Sequence, residues 1–302
     1  MIIGIDHGNM EVKTASTRFT TGISTYSELP HGLSSYLEFR KKYYTLSNQR
    51  KPLEWRKAQV DHFYSLTLIG IARELCARAQ YQPGTIPVEL AVGLSPIYYL
   101  NQYQEFEKYL LQYGQKLDFV MDKRPFSIRI NDVKSFSQGY AASMMTSLAQ
   151  YYGFFFVIDI GGKVDISAVD NGLIDFSDKR NTSLDIGMVS LTNKIEMQLD
   201  SMDGLKIDER QIINTLSGKH SGIAPHYAAA MQETAKQHTG ELFQQLREKD
   251  IDIRSAPSLY VGGGTRVLKK YLQLHVSKTT AFFLDDVHAN AKGYERLYSL
   301  LR

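Results

Sequence analysis

Cysteine is almost absent: Cys76 is the only one among 302 residues. That excludes an internal disulfide and fits a reducing cytoplasm. Cys76 falls within a helical pattern, so a buried, inert thiol is expected. Long apolar runs are absent too, none approaching the roughly 20 residues that cross a bilayer. The opening stretch, MIIGIDHGNM, lacks a basic region followed by an apolar one, so no signal peptide is expected. Charge of one sign is scarce: 35 Lys and Arg against 32 Asp and Glu leave +3, too weak a bias to argue for direct DNA contact. What the chain does have is 43% hydrophobic residues over a length sufficient for two domains. Its 19 tyrosines are compatible with interaction surfaces.

The pattern turns on one stretch, Phe156 to Val169 (FVIDIGGKVDISAV). An apolar run, Phe154 to Ile158, ends at Asp159. A Gly161-Gly162 turn follows, then an alternating run through Asp165, Ile166 and Ala168. This predicts a β-hairpin with a carboxylate at the mouth of its turn. Glycines let the backbone approach an anion, and successive N–H groups can face phosphate oxygens. A carboxylate beside them suits Mg²⁺, directly or through water. An ordinary core hairpin with a loop aspartate has the same pattern. The N-terminus repeats the arrangement: strand Met1 to Ile5, turn Asp6-His7-Gly8-Asn9, strand Glu11 to Ala15. Asp6 matches Asp159 and Gly8 matches Gly161, about half a chain length away, which suggests two similar halves.

Residues 17–47 read as short strands and loops. Apolar residues from Val60 to Leu75 recur at helical spacing, and Pro52 and Pro83 bracket a long amphipathic helix over 53–80. Val88 to Leu94 is a buried strand, Ile97 to Tyr113 a second helix, and Phe126 to Ile130 a strand. Asn131 to Gly139 reads as a polar turn leading into a helix of small residues from Ala141 to Leu148. Asn171-Gly172 marks another hairpin turn, into a strand over Leu173 to Phe176. Helices are expected over Ile186–Leu199, Asp208–Leu216 and Ala228–Lys249. Ser258 to Val261 is a strand that runs through Gly262, Gly263 and Gly264 into a helix from Val267. That arrangement suits a phosphate or nucleotide at the helix N-terminus. A strand at Phe282 to Leu284 and a helix from Val287 to Leu301 complete the pattern.

Five of these features, in this order, resemble the actin-like ATPase superfamily, and most nearly the bacterial plasmid-partitioning actins. Asp6 to Asn9 with Lys13 looks like the first phosphate motif, and Val133 to Ala142 like the first connecting motif. Asp159 to Gly162 looks like the second phosphate motif, Tyr260 to Thr265 like the adenosine motif, and Ala289 to Gly293 like the second connecting motif. The compact length and the stretch from Ser27 to Ala72, with its Tyr43-Tyr44 strand and long helix, fit the partitioning actins. The sequence departs from the pattern at three places. Its first turn is Asp-His-Gly-Asn, where many relatives carry a second Asp and a Ser or Thr. Lys163 stands where Thr is common. Gln138 stands where partitioning actins often have Glu, although actin itself has Gln.

The resemblance implies an α/β, two-domain actin-like fold (a duplicated ribonuclease H-like fold) with nucleotide in the interdomain cleft. Residues 1–150 with 287–302 would form one domain and 151–286 the other. It also implies an ATPase that takes ATP, or GTP, with Mg²⁺. Asp6 and Asp159 would face the Mg²⁺–phosphate region through bound water, and Lys13 would contact the β/γ-phosphates. Gly8, Asn9, Gly161 and Gly162 would supply backbone donors, and Gln138 would orient the attacking water. Gly262, Gly263 and Gly264 would lie against adenosine or the α-phosphate, with Glu209 and Arg210 as candidates for ribose or base. The implied function is a cytoplasmic head-to-tail filament that moves plasmid DNA through a DNA-bound adaptor protein, hydrolysis timing its turnover. Two rivals remain open. One is a sugar-type kinase of the superfamily using Asp132 or Asp165; the other is a chaperone or cell-division scaffold. No peptide-binding domain or membrane-targeting tail is visible.

Overall fold

The computed structural model describes residues 1–47, 52 and 54–302. The chain divides into two units, Met1–Met145 with His288–Arg302, and Thr146–Val287. In chain order the first carries β1 (Ile2–His7), β2 (Glu11–Thr14), β3 (Arg18–Thr20), β4 (Gly22–Tyr26), β5 (Leu37–Phe39) and β6 (Lys42–Ser47). It continues with α1 (His62–Ala77), β7 (Thr85–Leu94), α2 (Pro96–Leu110), β8 (Lys116–Met121), β9 (Arg124–Ser137) and α3 (Tyr140–Ser143). The second carries α4 (Leu148–Tyr151), β10 (Phe154–Ile160), β11 (Val164–Asp170), β12 (Leu173–Ile174), β13 (Thr182–Leu184) and α5 (Met188–Asp203). It ends with α6 (Glu209–Leu216), α7 (Pro225–Glu248), β14 (Ser258–Val261), α8 (Gly263–Leu272) and β15 (Ala281–Phe283). The last helix, α9 (Ala289–Ser299), belongs to the first unit. Among the described residues no helix is long and apolar enough to cross a membrane.

Two sheets form among these residues, and they are wired alike. The first begins β3-β2-β1-β7-β9; the second runs β12-β11-β10-β14-β15, with β13 beside β11. Each starts as an antiparallel meander and continues through two parallel strands. The half-chain echo of Asp6 in Asp159 is therefore the trace of a duplicated unit. In each copy the aspartate lies near the end of the meander's first strand, beside a parallel neighbour. The parallel strands are apolar almost throughout, as they must be when covered on both faces: Val88, Leu90, Ala91 and Val92 are all fully buried.

The first sheet then continues as β8-β5-β6-β4. Strands β3 and β4 stand at opposite ends of its order, yet only Thr21 separates them in sequence. The sheet must curl to allow this, and the Thr20 hydroxyl of β3 donates to the Ser47 carbonyl of β6, the strand beside β4, at 2.7 Å. On β1, Ile3, Ile5 and His7 face a core shared with α1. Gly4 faces α9 so closely that a Cβ would fall 2.0 Å from the Ala291 carbonyl oxygen.

A buried ion network ties α1, α9 and β1 together. Arg78 contacts Glu74 and Glu295, each at 2.5 Å. Glu295 accepts the Gly4 N–H at 2.8 Å, and Glu74 accepts the hydroxyls of Thr14 and Ser16. Burial would raise the Glu74 carboxyl, but hydrogen bonds from Thr14, Arg78 and Ser16 hold it below the ordinary range. Burial dominates at Glu295 and pushes it up.

The structure corrects several local expectations. Asn131 to Ser137 is not a turn but the second half of β9. The register steps from Val88–Ile130 to Glu89–Asp132, which leaves Asn131 as an extra residue. Such a bulge shifts the alternation by one: Phe126, Ile128 and Ile130 are buried before it, Val133, Ser135 and Ser137 after it. The helix expected over 53–80 is shorter. Residue 53 lies outside the described residues, Lys57–Gln59 is one 3₁₀ turn, Val60 is extended, and α1 ends before Ala79 turns left-handed at φ 53°. The small-residue helix after Gly139 is split into α3 and α4, and α8 begins at the glycines themselves. Cys76 is exposed rather than buried, 4.0 Å from Arg124 Nη1.

Candidate functional site

The first turn is closed by Gly8, where a Cβ would lie 2.6 Å from the Glu11 carbonyl oxygen. Register pairs Asp6 with Lys13 on β2, and Lys13 with Arg18 on β3. One acid and two bases thus stand in a row across one face. Glu11 tempers them from the same face, 4.0 Å from Lys13 Nζ and 3.8 Å from Arg18. Asp6 itself is buried. His7 points to the opposite face, and its Nε2 lies 2.8 Å from Thr67 Oγ1. The Thr67 proton goes to the Phe63 carbonyl at 2.8 Å, so His7 Nε2 is the donor and Nδ1 carries the lone pair. Edge-on to Phe63 and Phe106, the ring has a pKa well below the ordinary range, through burial first and the Lys57 ammonium second. His7 is a neutral core residue directed away from the Asp6 row.

Strands β7 and β9 end beside β1. The Gln138 N–H bonds to the Leu94 carbonyl at 2.8 Å. Its side chain reaches back across β7, about 10 Å of sheet, and donates from Nε2 to Asp6 Oδ1 at 2.9 Å. Gly139 follows with φ 70° and ψ −61°, and the Tyr140 N–H bonds to the Gln138 carbonyl at 2.8 Å. This is the rare, strained form of γ-turn, which requires glycine here. The Gly139 N–H donates to Asn290 Oδ1 at 2.9 Å, and a Cβ on Gly293 would fall 1.9 Å from the Ala141 carbonyl oxygen. The two stretches read as connecting motifs therefore meet, and together they fix the backbone of Gln138.

In the second unit Asp159 is likewise buried, but its cross-strand partner is Asp165. The carbonyls of Gly161 and Gly162 accept the N–H groups of Met188, at 2.9 Å, and Val189, at 3.3 Å, and so cap α5. A Cβ on Gly187 would lie 2.4 Å from the Gly162 oxygen. The Gly161 N–H bonds within the turn to the Lys163 carbonyl at 2.9 Å. Lys163 Nζ reaches Asp185 at 2.7 Å. His238 Nε2 donates to the Ile186 carbonyl at 2.9 Å, and burial lowers its pKa, so this ring too is a neutral strut.

The three glycines after β14 differ in what demands them. At Gly262 (φ 91°) a Cβ would lie 2.3 Å from Asp159 Oδ1. At Gly264 it would meet Ile160 Cγ2 at 2.6 Å and Met188 at 2.8 Å. At Gly263 nothing lies within 4 Å. The protein's own packing accounts for Gly262 and Gly264. Gly263, first in α8, has backbone open to something else.

No sequence family and no curated protein matches the chain. Solved structures match it over essentially its whole length. The native crystal structure of Ta0583, an archaeal actin homologue, superposes with a TM-score of 0.76 at 14% identity, covering 99% of each chain; Ta0583 was also solved in complex with ADP. A 15-stranded ParM filament from Clostridium botulinum gives 0.76 at 18% identity, again over 99% of each chain. The apo pSK41 ParM protein gives 0.71 at 17%, over 99% of this chain and 97% of that one. The fold is actin-like.

Within the actin-like frame, Glu209 and Arg210 open α6 behind an Asp208–Gln211 capping box. The Glu209 carboxylate is 3.4 Å from the Thr192 hydroxyl, and Arg210 is exposed. Asp132 sits at the β9 bulge, where it accepts the Tyr298 hydroxyl at 2.8 Å and lies 3.5 Å from Lys134. The sequence reading missed two cations, Arg18 beside Lys13 on β3 and Lys57 against the end of β7. Arg18 could have been found by carrying the β2–β3 alternation across from Asp6. Lys57 had no pattern to reveal it.

The residues present fit a nucleotide with hydrated Mg²⁺. In the first unit the buried Asp6 is a hard oxygen donor of the kind Mg²⁺ takes; in the second, Asp159 is another, and Gly263 has no atom within 4 Å of where a Cβ would stand. Among the described residues no cluster of three or more His, Cys, Asp or Glu could hold a metal.

Proposed function

We propose that this chain is an ATPase that assembles head-to-tail with copies of itself in the cytoplasm and segregates plasmid DNA through a DNA-bound adaptor protein. The observation that carries the reading is the Gln138–Asp6 contact at the strand ends of an actin-like fold. A carboxylate oxygen only accepts, so the amide nitrogen of Gln138 faces Asp6 and its Oε1 is left to accept from water. A neutral amide can orient a water but is a poor base, so turnover should be slow. Slow turnover suits a filament whose nucleotide state acts as a timer. In the first unit Asp6 and Lys13, and in the second Asp159, Gly162 and Gly263, are the residues that would contact ATP, or GTP, and Mg²⁺. When bound, Mg²⁺ neutralises charge on the phosphates. Likeness to a ParM filament supports self-assembly. Asp132, nominated for a kinase, is already engaged by Tyr298, which speaks against that rival.

The test is light scattering and pelleting of purified protein with ATP and Mg²⁺, across salt and nucleotide conditions. Nucleotide-dependent assembly at micromolar protein is the expected result. Its absence throughout would sink the filament reading.

A further inference from the structure

Lys57 is the only lysine among the described residues that is buried, at 8% exposure. Lysine is almost never this buried unless its ammonium is engaged. Its Nζ donates to the Gly93 carbonyl at 3.3 Å. Gly93 follows Val92, the partner of Ile5, and precedes Leu94, whose carbonyl takes the Gln138 N–H. The ammonium thus stands at the ends of β1, β7 and β9, the edge at which Asp6 and Gln138 meet. It arrives from the His7 face of the sheet, where the neutral ring feels its charge, whereas Asp6 lies on the α9 face. The 3₁₀ turn that carries it joins the outer strands β4 to β6 to α1.

We propose that Lys57 is a second phosphate lysine, which donates to the terminal phosphate of the nucleotide and distinguishes triphosphate from diphosphate. The proposal rests on the nucleotide reading above. Lys13 reaches the β/γ-phosphates from the meander, and Lys57 adds a second charge at the terminal one from the segment before α1. The bland alternative is a strut that only pins that segment to β7.

Two variants separate the roles. Lys57→Gln keeps a neutral donor for the Gly93 carbonyl and removes the charge; Lys57→Met removes both. Calorimetric titration with a non-hydrolysable ATP analogue and with ADP, and thermal melting, are the readouts. Loss of one charge-assisted bond should weaken the triphosphate by about tenfold or more in both variants. ADP affinity should stay within about twofold, and Lys57→Gln should melt like the wild type. If Lys57→Gln keeps the wild-type preference for triphosphate, or loses both nucleotides equally, the proposal is overturned while the nucleotide reading stands. If Lys57→Met does not fold, Lys57→Gln alone decides. A wild type that binds neither nucleotide overturns both.

Discussion

Asp6 and Asp159 occupy one place in two copies of the same wiring, yet their surroundings differ. Beside Asp6 the sheet carries Lys13 and Arg18, and Gln138 reaches across a strand to hold the carboxylate. Beside Asp159 the cross-strand partner is another acid, and the turn's carbonyls are spent on the N-terminus of α5. The first turn is surrounded by side chains, two cations and an amide. The second is backbone architecture, with the Gly262 main chain lying directly against the carboxylate. Duplication supplied two acidic turns, and the neighbouring strands and helices surrounded one with charged and amide side chains and the other with backbone.

The sharpest test of that division is removal of each acid. Asp6→Ala and Asp159→Ala should each lower phosphate release by about 100-fold or more, with circular dichroism unchanged. Wild-type turnover in Asp159→Ala would remove the second turn from the site. Gln138→Ala should slow hydrolysis by about 100-fold and leave ATP affinity nearly intact. A matching loss of affinity would mean that Gln138 holds nucleotide rather than water.

The first unit also leans on charge for its frame. Breaking a buried ion pair typically costs roughly 3 kcal/mol, so Glu74→Gln should show a clear drop in melting temperature at neutral pH. The Glu74 carboxyl is depressed in the folded protein, so its contribution is present above the ordinary carboxylate range and is lost as pH falls through the folded pKa. Glu295, raised by burial, works in the opposite sense as pH climbs past that range. Melting curves from neutral to acid pH should therefore fall less steeply for Glu74→Gln than for the wild type.

Two smaller tests address the second unit. Gly264→Ala forces a Cβ onto Ile160 and Met188 and should cost about 1–3 kcal/mol. Gly263→Ala should leave melting unchanged while weakening nucleotide binding by about tenfold. Equal behaviour of the two would erase the distinction between packing and ligand glycines. Lys163→Met removes a largely solvated pair with Asp185, a loss of less than about 0.5 kcal/mol. A large loss of nucleotide affinity there would return Lys163 to the site.

Much of this was legible in the sequence. The paired acidic turns exposed the duplication because turn chemistry is local: an aspartate, a tight glycine and two alternating runs suffice. The glycines after Val261 were visible for the same reason. What stayed hidden was set by tertiary contact. The bulge at Asn131 broke the period of β9 without ending the strand, so Gln138 was read from a turn that begins later than expected. The role of His7 depended on Thr67, sixty positions away. Lys57 lies outside any periodic pattern, and only folding shows where its ammonium goes.

The curl of the first sheet carries one more implication. Unpaired strand edges invite irreversible edge-to-edge stacking between copies of any chain. Here the outermost strands, β3 and β4, are of three and five residues, and β3 bonds to β6 beside β4. In the second sheet they are β12 and β15, of two and three residues. With so little backbone on offer among the described strands, edge-to-edge pairing of the sheets is disfavoured.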